Sequence, residues 1–247
     1  MVKFVGSLIF LFSVVGCASR HVLIEPESPI VFSKRARGGA ASWTGEELNA
    51  PSLTIYANGV VIRPAYNEGK RRWMLGHMKP QVFRERIKHI QNIRDSVKAM
   101  HRKTADTSAA IPVIEWITGS DTLAVRGLGF SVQGGWLDSM HYYNQEMDTW
   151  EYEALRPYVA SRIRLYVKKS GSARGAQWPV WPVRAVLPSS VYTRDVSYYE
   201  PNVTENSVVI EGVIAREVQS AIGQTGVYEK FIADGMVYGI GYVIEVP

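Results

Sequence analysis

Sulfur chemistry is almost missing from this chain. Its 247 residues hold one cysteine, Cys17, which excludes an internal disulfide framework and any cysteine-rich zinc site. Several catalytic signatures are also absent: a Gly-x-Ser-x-Gly nucleophile elbow, a His-Glu-x-x-His zinc helix, a Gly-x-x-x-x-Gly-Lys phosphate loop and a calcium loop. The hydrolase, metalloprotease, nucleotide-binding and calcium-sensor classes that announce themselves locally are therefore not indicated, and no metal or cofactor is expected. No apolar run reaches the ~20 residues that a membrane-spanning helix needs. Charge of one sign is in short supply too: 28 basic residues against 23 acidic ones give +5, with the two kinds interleaved, so no nucleic-acid partner is expected. What is present is apolar and aromatic. A 46% hydrophobic content with seven Trp, seven Phe and thirteen Tyr is enough for one sizeable core, from which stability has to come.

The single thiol has an informative address. After Met1-Val2-Lys3, an apolar run extends from Phe4 to Val15, the layout of a secretory signal; about 12 residues are too few to cross a ~30 Å hydrocarbon layer. Val14-Val15-Gly16-Cys17 closes the run and resembles the bacterial lipobox. That resemblance implies a diacylglyceryl group on Cys17, cleavage before it and acylation of the new amino terminus, so that residues 1–16 are a signal peptide. A plain signal cut after Gly16-Cys17-Ala18 also satisfies the small-x-small rule. Each buried CH₂ contributes ~0.8 kcal/mol, so several acyl chains hold where one is marginal. Ala18 and Ser19, in place of an inner-membrane-retaining Asp, imply export to the outer membrane of a two-membrane bacterium. Residues 17–29, with Pro26 and Pro29, are expected to form a tether.

Beyond the tether, the pattern predicts an α+β fold, largely antiparallel and built from β-hairpins. Asn58-Gly59 predicts a type I′ turn between strands Leu53–Ala57 and Val60–Arg63. Gly119-Ser120-Asp121 separates Val113–Thr118 from Thr122–Gly127, and Asp234-Gly235 separates Tyr228–Ala233 from Met236–Val246. Two shorter alternations, "SPIVFSK" and "RIRLYVKK", also read as strands. Pro80 opens a helix whose residues Phe83, Ile87, Ile90, Ile93, Val97 and Met100 recur at three and four, with Arg84, Arg86, Lys88, Arg94, Lys98 and Arg102 on the other face. A second helix is expected from about Ser139 to Leu155, with Tyr143, Met147, Trp150 and Ala154 inward. A third spans Ile214 to Ile222, stopped by Gly223. The expected organisation is a main domain over residues 30–167, an irregular Pro/Trp connection over 168–206, and a β-α-β-β piece over 207–247 packed on the main sheet.

With those pieces in place, the mature chain resembles a family of bacterial secreted lipoproteins of unknown activity. The likeness lies in "PSLTIYANGVVI", in "ADTSAAIPVIEWITGSDTLAVRGLGF", in "RIRLYVKK", in the Trp-Pro of "QWPVWPV", and in the stretch from "VIEGVIAREVQ" onward. The later cysteine of that family is missing here. The resemblance implies fold and location, with no catalytic residue to carry over.

Few groups point to chemistry. The glycines of "RGLGFSVQGGW" lack the strand-to-helix context of a phosphate cradle. His89 and His101 sit twelve residues apart on one helix, too far to share a metal. His77, beside Trp73 and Met78, and Asp106 of "ADTS" are the candidate general base and its orienting acid. Glu115 is expected to point outward from its strand toward Arg126. Asp148, Glu151 and Glu153 form an acidic cluster on the second helix, where a glycosidase would need paired carboxylates. Two Trp-Pro steps, Trp178-Pro179 and Trp181-Pro182, set indoles at the period of polyproline II; exposed they form a contact surface for protein or sugar, buried they cap a sheet. The sum is a non-enzymatic envelope lipoprotein, partnered by the membrane through its lipid and by another envelope protein or a cell-wall polymer. The alternatives are an envelope hydrolase acting on cell-wall material and a small-molecule or metal binding module.

Overall fold

The computed structural model describes residues 28–37, 51–67, 70–101, 113–126, 136–194, 206–223 and 227–245. Among these run β1 (Ile30–Arg37), β2 (Pro51–Tyr56), β3 (Val60–Asn67), β4 (Lys70–His77), α1 (Pro80–His101), β5 (Val113–Thr118), β6 (Asp121–Arg126) and α2 (Trp136–Thr149). There follow β7 (Glu153–Pro157), β8 (Arg162–Ser172), α3 (Pro188–Val191), β9 (Ser207–Glu211), α4 (Gly212–Ala221), β10 (Glu229–Ala233) and β11 (Met236–Ile244). The fold is α+β. A seven-stranded sheet has the order β6-β5-β1-β2-β3-β4-β7, and a four-stranded sheet the order β10-β11-β8-β9. All of their strand ladders are antiparallel.

Turn chemistry accounts for much of this. Asp234 and Gly235 both take positive φ, 48° and 73°, as a type I′ turn requires, and β10 pairs with β11 directly around them. The turn at Asn58-Gly59 departs from the expected type I′. Gly59 has φ of 80° while Asn58 does not join it; the Asn58 carboxamide instead accepts from the Val60 amide at 3.1 Å. The result is a three-residue loop, Ala57 to Gly59, closed by a left-handed glycine.

The β3–β4 hairpin was not expected, because Pro64 argues against a strand interior. It carries eight residue pairs, from Val60↔His77 to Asn67↔Lys70. Its neighbour β2 pairs with β3 only at Thr54↔Ile62 and Ile55↔Val61. Trp73, opposite Pro64, gives its carbonyl to the Tyr158 amide on the far side. Pro64 therefore faces the side that β2 has vacated, where a missing N–H costs no ladder bond.

The second helix also stops short of its expected end. It closes at Thr149, and residues 153–157 instead form edge strand β7 against β4. Ala154 adopts φ of 51°, and the residue before Pro157 is disfavoured in a helix. Trp150 leaves the helix yet stays buried, edge-on to Tyr143 at 5.5 Å. Glu115 needs the opposite correction: it is 1% exposed and its carboxylate is paired with Arg35 on β1. Strand β5 lies between β1 and β6, and Arg126 stands across from Val113, two residues away from the expected position.

Two apolar clusters fill the molecule. One joins a face of the seven-stranded sheet (Phe32, Ile55, Trp116) to Ile90, Ile93 and Val97 of α1 and Met140, Tyr143 and Met147 of α2. The other joins the opposite face (Tyr56, Ile62, Trp73, Leu75) to the four-stranded sheet, to Val218 of α4 and to Trp181 and Val183. The carboxy-terminal β-α-β-β piece thus shares its core with the main sheet, and its sheet includes β8, which runs on to Ser172.

Candidate functional site

Polar groups converge where α2 ends above the large sheet. Alternation along β1 puts Lys34 on the same face as Phe32, so its ammonium enters an apolar layer and is 4% exposed. It donates to Asp148 Oδ1 at 2.7 Å and to the Asn144 carbonyl at 2.9 Å. From β3, both terminal nitrogens of Arg63 donate to the Asp148 carbonyl at 3.1 Å. Arg63 thus satisfies a carbonyl that the last turn of α2 leaves open, and Lys34 adds its charge one turn earlier, at the helix end where the dipole favours positive charge. Arg86 of α1 stacks on Trp150 at 4.0 Å, and Trp150 Nε1 donates to Glu146 at 3.3 Å.

Burial dominates the electrostatics of this corner. It pulls the Lys34 pKa down, and Asp148 opposes that pull without cancelling it. It pushes the Tyr152 hydroxyl up to about 12 against the pull of Arg63 and Arg86, and raises Tyr143 further. Such an arrangement holds charge in place: a neutral pair of tyrosines beside cations already engaged with a helix end. Sequence reasoning did not single out this corner. The signal was there, since period-two alternation in "IVFSKRAR" sets Lys34 in register with Phe32.

The expected site residues scatter. His77 ends β4, half-buried, opposite Val60 on one side and Glu153 on the other. Asp106 lies outside the described residues, as do Cys17 and His21, so the His77–Asp106 pairing has no geometry to report. The acids of the second helix do not form a carboxylate pair: Asp148 binds Lys34, whereas Glu153 sits on exposed β7 beside Lys79 at 3.5 Å. On α1, the face expected to be solvated turns part of its charge inward, with Arg94 and Lys98 both on Asp121. His89 is exposed and edge-on to Tyr143 at 4.5 Å.

The two tryptophans of the Pro-rich stretch have different fates. Trp181 is 6% exposed, edge-on to Phe231 at 5.1 Å, with its indole N–H on the Val186 carbonyl at 2.8 Å. It is core, the buried of the two fates open to these indoles, and so leaves the contact surface to Trp178. Trp178 is 47% exposed, with the Lys230 ammonium 5.2 Å from its ring centre.

No protein-family model, no curated protein and no solved structure matches the chain. Among the described residues no group of three or more His, Cys, Asp or Glu side chains is placed to share a metal ion. No helix among them is long and apolar enough to cross a membrane.

Proposed function

We propose that the chain is a bacterial cell-envelope lipoprotein, held by lipid on Cys17, whose α+β body acts by binding another component of the envelope. The observation that carries this reading is the position of the only thiol: it closes an apolar leader at lipobox register and is found nowhere else in 247 residues. Two or more acyl chains at that position hold a polypeptide stably at a bilayer, where a single chain is marginal. The polar groups of the body support the non-catalytic half of the reading, since they satisfy a helix end and each other: Arg63 caps α2, Lys34 pairs with Asp148, and Glu115 pairs with Arg35.

Metabolic labelling with a fatty-acid probe tests the anchor. The wild-type chain should incorporate the probe and float with membranes, and Cys17→Ser should accumulate as unlabelled precursor. Equal labelling of the two would overturn the proposal.

A further inference from the structure

Charge is distributed very unevenly along the chain. Residues 154–194 hold eight arginines and lysines and no aspartate or glutamate. That local excess is larger than the +5 of the whole chain, so the remaining residues are net acidic. This stretch comprises most of β7, then β8 and α3, and the segment that wraps the outer edge of the four-stranded sheet.

The wrapping is held by backbone bonds. The Ala173 amide donates to Gly235 O at 3.0 Å, the Ile232 amide to Pro179 O at 2.8 Å, and the Trp181 amide to Ile232 O at 2.9 Å. Val180 and Ile232 form one parallel bridge at the β10 edge. Because Trp181 turns inward onto Phe231, the extended alternation sends Trp178 and Val180 outward. Val180 is 71% exposed and Leu187, further along, 44%. Lys230 lies against Trp178, and Lys169 against Tyr192 at 5.7 Å. Arg174 and Arg184 are exposed on the same segment. Of the acids near this end, Asp234 at the β10–β11 turn accepts from Ser189, which does not neutralise its charge, and Glu229 of β10 lies with Lys70 by Gly223; Glu211 and Glu245 pair with Arg162 and Arg164 towards the other end of β8.

We propose that this edge of the four-stranded sheet is an interfacial surface that lays the body on an anionic bilayer. Trp178, Val180 and Leu187 enter the headgroup boundary, while Lys230, Arg174 and Arg184 meet lipid phosphates. An exposed indole with an ammonium over its ring, on a segment that carries two exposed arginines, matches that boundary, where amphipathic rings and long cationic side chains settle. Cations near an anionic leaflet gain electrostatically within a Debye length. A soluble polyanion would satisfy the cations but leave Val180 and Leu187 with nothing to gain; a fluid lipid surface accepts both kinds of side chain without a fixed complementary shape. The anchor reading supplies the high local concentration that lets such a surface be individually weak. Pro29 follows Cys17 by twelve positions, a contour of about 40 Å at full extension, so a tether of that length leaves the choice of docking face to the body.

The test uses the full chain mixed with vesicles of neutral phosphatidylcholine, or of phosphatidylcholine with phosphatidylglycerol, carrying bromine on the acyl chains. Emission that is present in the wild type and missing in Trp178→Phe isolates the one indole. That component should be quenched at least about threefold more in anionic than in neutral vesicles, and lose the difference in high salt or in Lys230→Glu/Arg174→Glu. Flotation in high salt reports the anchor separately. A chain that floats without quenching of Trp178 refutes the docking face and spares the lipid; quenching at low salt in a chain that fails to float refutes the lipid and spares the face. Retention on dextran sulfate that survives Trp178→Ala, with no quenching by anionic vesicles, would reassign the surface to anionic polymers and overturn the proposal.

Discussion

Lys34 is the residue whose chemistry departs furthest from its sequence class. Its ammonium is removed from water and kept there by one carboxylate and one carbonyl, and burial lowers its pKa despite Asp148. Between that lowered folded value and the unfolded value of ~10.4, the unfolded chain holds more protons, so the stability contributed at this site rises as pH climbs through the window. Asp148→Ala should drop the folded value further and cost about 1–2 kcal/mol at pH 7, because a hydrogen bond to a buried charge is lost while Asp148 itself is largely exposed. The deficit relative to wild type should shrink by pH 10, and Asp148→Asn, which keeps an acceptor, should cost less. Urea unfolding of the three proteins at both pH values checks this; an equal deficit at pH 7 and pH 10 would show that the lysine does not depend on its carboxylate. The raised tyrosine values act in the opposite sense above pH 10, where Asp148 itself adds to the rise at Tyr152, so the comparison is made no higher than pH 10. Glu115 makes the same point about legibility. A glutamate in a strand reads as an outward residue, and only the pairing of β5 with β1, set by contacts eighty residues apart, brings Arg35 to its side.

At the scale of elements, the legible parts are those with local causes. The 3–4 apolar spacing of α1 and the Asp-Gly turn of β10–β11 need nothing beyond their own residues, and both stand where the sequence puts them. The β3–β4 hairpin was hidden by Pro64, whose tolerance depends on where β2 stops. Strand β7 was hidden because Tyr143, Met147 and Trp150 keep helical spacing past the point where Arg63 closes the helix. Gly76 shows how β7 docks: a Cβ there would lie 2.8 Å from Tyr152 Cβ and 3.3 Å from Leu155 Cδ1. Gly76→Ala should therefore push β7 away from β4 and destabilise by about 1–3 kcal/mol, the usual range for overpacking. Denaturant midpoints measure the loss, and amide exchange should quicken first in β7; an unchanged midpoint with protected β7 amides would mean that the edge accommodates the methyl freely.

Across the whole molecule, the sheets are joined by side chains, with no strand common to both. Trp73 and Leu75 of one sheet share a cluster with Leu165, Ile240 and Tyr242 of the other, and Trp181 closes that cluster from the Pro-rich segment. The Trp-Pro period foresaw an unusual stretch but not which indole turns inward, since that depends on the β10 edge against which it lies. Burial of Trp181 with a satisfied N–H makes Trp181→Ala a large-to-small core change of about 3–5 kcal/mol, whereas Trp178→Ala on the exposed face should stay within about 0.5 kcal/mol of wild type. If the shared cluster couples the sheets, Trp181→Ala should lower hydrogen-exchange protection in β3 and β4 as much as in β8 and β11, within a single unfolding transition. Loss confined to β8–β11, with β3 and β4 still protected at the wild-type level, would show two cores that melt independently.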